Sequence, residues 1–131
     1  MAAWPHAVDV ATDWEVVVKD ELEFFDVEAV PWRPDPAAAG VSERVLSREA
    51  DGAVGTRIAR WAPGTETSGV IRHDYFEEVL LLEGSLHDLT LDQTFRAGHF
   101  ASRRPGMPHG PYRTVDGCTM LEIRHRLADA S

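Results

Sequence analysis

The chain has little cysteine, little positive charge and no long apolar run, and each shortage removes a class of function. Cys118 is the one cysteine in 131 residues. No internal disulfide can form, so a reducing, cytoplasmic setting is expected. Neither basic neighbours nor metal-ligand spacing surrounds Cys118, so core filling is its expected role. Thirteen basic residues face 22 acidic ones, for a net charge of −9. The basic residues are mostly arginines scattered in ones and twos, whereas a phosphate backbone requires clusters, so nucleic acid is not an expected partner. No apolar run approaches the ~20 residues of a membrane span. The first residues, MAAWPHAVDVATDW, lack the basic start and apolar stretch of a signal peptide. G-x-S-x-G, C-x-x-C and a glycine-rich phosphate loop are also missing.

What is present fits one soluble domain of 131 residues, 44% hydrophobic and 27% charged. Apolar residues never recur at i, i+3, i+4, i+7 for three turns. Short alternating segments separated by turn residues predict an all-β sandwich or barrel instead. The expected organisation is an N-terminal arm over 1–20 and a barrel domain over 21–131. Within the arm, Trp14–Val18 reads as a short edge strand, and Trp4 and Trp14 offer anchors onto the body or a second subunit. Glu21–Val30 reads as a strand, followed by a turning path imposed by Pro31, Pro34 and Pro36. Ser42–Glu49 and Ala53–Trp61 read as strands around an Asp51-Gly52 turn. Val70–Glu83 reads as a strand with a bulge near Asp74-Tyr75, reversing at Gly84-Ser85 into a strand carrying Leu86, Leu89 and Leu91. A turn at Asp92-Gln93, a segment from Phe95 to Phe100, a rigid corner from Arg103 to Pro111 and a last strand, Cys118–Leu127, complete the meander. Cys118, Met120 and Glu122 share one face of that strand.

The chemistry concentrates in Arg72–Gly84, RHDYFEEVLLLEG. On a strand, residues four apart share a face, so His73 and Glu77 can both point into a barrel. His109, after the Pro-Gly-x-Pro corner, is the candidate third ligand. Two imidazoles and a carboxylate with open positions suit non-haem Fe(II), and also zinc, nickel or manganese. A histidine and a glutamate four apart are also ordinary on a solvated strand, so spacing alone leaves both readings open. Glu78 should face away from Glu77. His87 is the candidate general base, with an unperturbed pKa near ~6.5 suited to proton transfer; facing outward, it is a surface histidine beside Asp88. Phe76, Trp61, Tyr112 and Met120 line a pocket or fill the core. Arg103 and Arg104 either steer an anion or pair with the acidic surface, and His6 and His125 are expected in solvent.

From Arg72 to His109 the chain resembles a cupin. The first cupin motif, G-x5-H-x-H-x3,4-E-x6-G, is matched in its second half by His73, Glu77 and Gly84. Gly98, Pro105, Gly106 and His109 follow the second, G-x5-P-x-G-x2-H, with altered spacing. The strings EEVLLLEG and PGMPH and the segment Gly117–Leu121 are similar in kind and order to the zinc-binding cupin half of ChrR-type anti-sigma factors. This resemblance spans roughly Val27 to Arg126 and implies a double-stranded β-helix, or jelly-roll barrel.

The chain departs from the motif where the first histidine belongs, at Ile71, and Thr65 replaces the leading glycine, with Gly64 one place away. Three outcomes stay open: a three-ligand site of His73, Glu77 and His109, a replacement ligand such as His87, or an empty degenerate site. The resemblance implies a metal-dependent enzyme acting on a small organic molecule, foremost a dioxygenase, with isomerase or lyase chemistry as an alternative. Its second implication is a zinc-stabilised module that senses a ligand or binds a protein. The anti-sigma role itself is not expected, because the arm is too short for a sigma-binding helical domain. A homodimer is expected by the same resemblance.

Overall fold

The computed structural model describes residues 19–49 and 54–126. The arm through Trp14–Val18 and the Asp51-Gly52 turn lie outside them. Among the described residues eight strands form in chain order: β1 (Arg33–Pro34), β2 (Val41–Arg48), β3 (Gly55–Trp61), β4 (Phe76–Asp88), β5 (Gln93–Arg96), β6 (Phe100–Arg103), β7 (Tyr112–Arg113) and β8 (Cys118–His125). All pairings are antiparallel, in the order β1-β2-β3-β8-β4-β5, with β6 and β7 also paired to β4.

Strand β4 organises the barrel because it pairs with four other strands. Its first part, from Phe76, pairs with β8 and β6, while Ser85–Asp88 pairs with β5 and Asp88 and His87 with β7. The change of partners occurs at a register shift between Leu81 and Glu83 and at Gly84. Gly84 has φ +77°, and a Cβ there would lie 2.1 Å from the Gly117 carbonyl oxygen. Only glycine lets the two backbones cross that closely. The expected reversal at Gly84-Ser85 is therefore a corner within one strand, and the chain turns back at Leu89–Asp92.

The corner resets the alternation of faces. Glu77, Val79 and Leu81 are buried before it, Leu86 and Asp88 after it. Odd positions thus face inward first and even positions later, as an extra residue in one strand requires. Elsewhere alternation runs as expected: Cys118, Met120 and Glu122 all point inward from β8. The core gathers Val79, Leu81, Leu86, Tyr112, Cys118 and Met120, with Trp61, Phe95 and Ala101 packed against it. Cys118 is buried, and burial pushes its thiol up to about 11, as expected of an inert core residue.

Glu21–Val30 is not a strand. The Asp26 side chain accepts from Glu28 N at 3.0 Å and caps a 3₁₀ turn over Val27–Ala29, closed by Val30 N donating to Val27 O at 3.0 Å. An acidic residue that satisfies local backbone donors competes with ladder pairing, and here it prevails. Phe24 is fully exposed, at 100%. Similarly, Val70–Tyr75 forms no strand; its one sheet-like contact is the bridge from Ile71 to His109.

Candidate metal centre and cavity

Strand register builds the inside of the barrel in layers. Glu77 on β4 stands opposite Arg103 on β6 and Arg124 on β8. The next layer sets Val79 against Ala101 and Glu122, with Arg57 on β3 opposite Glu122. The layer beyond holds Leu81 opposite Met120, and Met120 opposite Ala59. One end is thus charged and the middle apolar. Between them lies a cavity of about 360 Å³, lined at its polar end by His73, Glu77, Arg103, His109 and Arg124.

Glu77 is 3% exposed and holds both guanidiniums: Arg103 Nη1 donates to Oε1 and Arg124 Nε to Oε2, each at 2.9 Å. Burial alone would raise its carboxyl, but Arg124 and Arg103 outweigh that and hold it below the usual range. The pairs continue across the barrel. Arg124 Nη2 donates to Glu122 at 3.1 Å, and Arg57 bonds Glu122, Asp35 and Glu43 at 2.7–2.8 Å. The Arg57 cation is held correspondingly tightly: burial opposes its charge, but Glu122 and its other carboxylate partners raise its pKa. Arg103 Nη2 also donates to the Tyr112 hydroxyl at 2.8 Å, and that oxygen lies 3.2 Å from His109 Nδ1.

The two histidines arrive from loops. His73 precedes β4; its carbonyl accepts from Gly106 N at 2.7 Å and its ring stacks on Tyr75, with centroids 4.6 Å apart. His109 is fixed by paired backbone bonds with Ile71, 2.8 and 3.0 Å. Burial pushes the imidazole of His109 down to about 4, with Arg103 adding to the effect, and burial lowers His73 too. Both rings are therefore neutral near pH 7, the form that ligates metal.

One nitrogen each of His73 and His109 and one Glu77 oxygen lie within 4.8 Å of one another. His109 Nε2 is buried with no hydrogen-bond partner. An orphaned ring nitrogen that faces a second imidazole and a carboxylate, its other nitrogen held by a tyrosine, has the chemistry of a metal-ligand set. The trio fits a divalent cation.

Of the residues singled out from sequence, His73, Glu77 and His109 come together and His87 does not. Beyond the corner odd positions face out, so His87 bonds Thr94 Oγ1 at 2.9 Å and Asp92 Oδ1 at 3.1 Å, and is not among the residues lining the cavity. Neither a fourth ligand nor a base for this cavity is supplied from there. Trp61, Tyr112 and Met120 do line it, whereas Phe76 stacks on His125 instead, 5.1 Å between centroids. Ile71 also lines it, in the place of the missing histidine. Arg124 and Arg57 were invisible as site residues in the sequence, where they are two among scattered arginines.

The profile of the ChrR cupin-like domain matches residues 20–128. The chain belongs to the ChrR cupin-like family. None of the curated proteins matches it. Among solved structures it is similar to the anti-sigma factor ChrR in its complex with SigE from Rhodobacter sphaeroides. There the TM-score is 0.55 and the identity 23%, over 74% of this chain and 49% of that one. It is similar to an RmlC-like cupin from Shewanella frigidimarina, TM-score 0.66 and 15% identity, over 83% of this chain and 95% of that chain. An acetylacetone dioxygenase from Acinetobacter johnsonii gives TM-score 0.64 and 16% identity, over 84% and 80%. At these identities the likeness is one of fold. Among the described residues no helix is long and apolar enough to cross a membrane.

Proposed function

We propose that this ChrR-like cupin holds a divalent metal on His73, Glu77 and His109 and acts on a small organic molecule in the adjoining cavity. The observation that carries the proposal is the buried, unpartnered Nε2 of His109 beside two further ligand atoms. Iron(II) and zinc are the first candidates, with nickel and manganese compatible with the same donors. When bound, the metal supplies Lewis acidity and a template for a chelating substrate.

The chain's own residues prepare that chemistry. Tyr112 orients His109 through Nδ1, which leaves Nε2 as the ligating atom. Arg103 and Arg124 keep Glu77 ionised, and each of its oxygens retains a lone pair beyond the one that accepts the guanidinium. Val79, Leu81, Leu86 and Met120 exclude water from the far wall. With Ile71 offering no donor, His73, Glu77 and His109 would hold the metal on their own, within reach of a substrate in the cavity. The reading put first is dioxygenase-like oxidation, with the acetylacetone dioxygenase as a fold relative; isomerase or lyase chemistry needs the same ligands. Exposed Phe24, Phe100 and Val115 provide apolar surface for the homodimer that belongs to this reading.

The ChrR complex supports a second reading, a zinc-stabilised module that binds a protein partner. Metal analysis of protein purified without chelators, followed by oxygen uptake with a panel of small diketones, separates the two. Bound iron with substrate-dependent oxygen uptake supports the enzyme; bound zinc with none supports the module. His73→Ala and His109→Ala must each lose metal under either reading, and retention in both rules out the centre.

A further inference from the structure

The charges around the cavity identify the kind of molecule it takes. Three guanidiniums line it, those of Arg57, Arg103 and Arg124, and so do three carboxylates, those of Asp35, Glu77 and Glu122. These cancel. Glu43, behind Arg57, is matched by Arg33, whose Nε donates to it at 3.0 Å. His73 and His109 add nothing, because an imidazole that ligates a metal is neutral. A divalent cation on the trio would leave the half-buried cavity two positive charges in excess. In low-dielectric surroundings an uncompensated excess of that size is costly, and an anionic ligand relieves it.

The donors for such an anion are in place. Arg124 uses Nε on Glu77 and Nη2 on Glu122, which leaves Nη1; Arg103 uses Nη1 on Glu77 and Nη2 on Tyr112, which leaves Nε. Both side chains line the cavity on either side of Glu77. A planar guanidinium held on its other edges, Arg124 by Glu77 and Glu122 and Arg103 by Glu77 and the Tyr112 hydroxyl, is pre-organised to receive a further carboxylate oxygen. Away from this end the walls are Val79, Leu81, Leu86, Phe95 and Met120, surfaces for an apolar body.

We infer that the cavity binds a small organic acid, its carboxylate at Arg124 and Arg103 and its apolar body against the Val79–Leu81–Met120 wall. This rests on the metal reading above and adds the charge class of the ligand. The test compares phenylpyruvate with its uncharged amide by isothermal titration calorimetry on the zinc-loaded full chain, with the zinc content of each sample measured first. The acid is expected to bind at least roughly tenfold tighter than the amide, as a hydrogen bond to a charged group implies. Metal-free protein is expected to bind the acid more weakly, and Arg124→Gln, at unchanged zinc content, to lose most of the preference for acid over amide. Should Arg124→Gln fail to fold, the acid–amide comparison on the unaltered chain still decides. Equal affinities with zinc bound overturn the inference while sparing the metal centre, and protein that takes up no zinc overturns both. Inorganic phosphate binding as tightly as phenylpyruvate overturns the assignment to an organic acid.

Discussion

Ile71 and His109 face each other across a two-way backbone bridge, Ile71 N to His109 O at 2.8 Å and His109 N to Ile71 O at 3.0 Å. Directly opposed residues in an antiparallel pair project their side chains to the same face, and both of these line the cavity. The residue standing where the cupin motif has its first histidine thus still anchors the third ligand through its backbone, while its side chain supplies apolar wall. Ile71→His should therefore add a fourth ligand, a third nitrogen, beside His109. Zinc affinity, read by competition with a chromogenic chelator, is expected to rise on the order of tenfold or more. Under the enzyme reading, turnover is expected to fall as well. Unchanged zinc affinity would show that position 71 does not reach the metal.

Glu77→Gln tests the central ion pairs. The side chain is 4% exposed and its partners are 12% and 24% exposed for Arg103 and Arg124. Removing the anion leaves two guanidiniums facing a neutral amide. Breaking a buried pair at one partner costs about 3–5 kcal/mol, and the partial exposure of Arg124 places this case near the lower end. Urea denaturation of the metal-free protein measures it, and metal content should drop in parallel. A loss below about 1 kcal/mol would mean that the arginines find other partners.

These two sites differ in how far the sequence reveals them. His73, Glu77 and His109 were legible because strand parity and a loop corner are local, and the cupin resemblance joins them. The double clamp on Glu77 was not, because it depends on which strands flank β4. Arg103 and Arg124 are 26 and 47 residues away along the chain. The all-β architecture was likewise readable from turn spacing. Gly84, however, reads as a hairpin turn in sequence and is a mid-strand corner in space, and the parity change that follows is what turns His87 outward. The sequence leaves both faces open to His87, and the corner is what selects the outward one. At Asp26, a local side-chain cap overrode the strand pattern of the surrounding apolar residues.

Gly84→Ala checks the corner. At φ +77° an alanine is strained, and its methyl carbon would sit 2.1 Å from the Gly117 carbonyl oxygen and 2.9 Å from Cys118 Cα. Both obstacles are backbone, in the β4–β8 ladder that the core rests on, so neither yields by a rotamer change. The expected cost is at least ~2 kcal/mol, seen as a lower urea midpoint. Gly64→Ala is the control for the strain alone, since it shares the positive φ, +82°, but a methyl there would meet nothing within 4 Å. Equal losses in the two variants would refute the close crossing.

The histidines predict how the metal-free protein responds to acid. His109 titrates near 6.5 when unfolded and at about 4 in the fold, with burial the main cause, and His73 is shifted in the same direction. Between those values the unfolded chain binds more protons than the folded one, so stability increases with pH. It is complete above about pH 6.5 and declines as pH falls towards about 4. The Glu77 carboxyl, held below its usual value of 4.5, contributes only at the acid end of that window. Urea midpoints of the metal-free protein should therefore fall between about pH 7 and about pH 5, before carboxylate protonation takes part. His109→Gln removes one of the two titrating rings and should flatten that decline. With zinc bound the decline should be steeper, because protons and metal compete for the same nitrogens. A wild-type midpoint that stays level across this range would show that the rings are not held neutral by the fold.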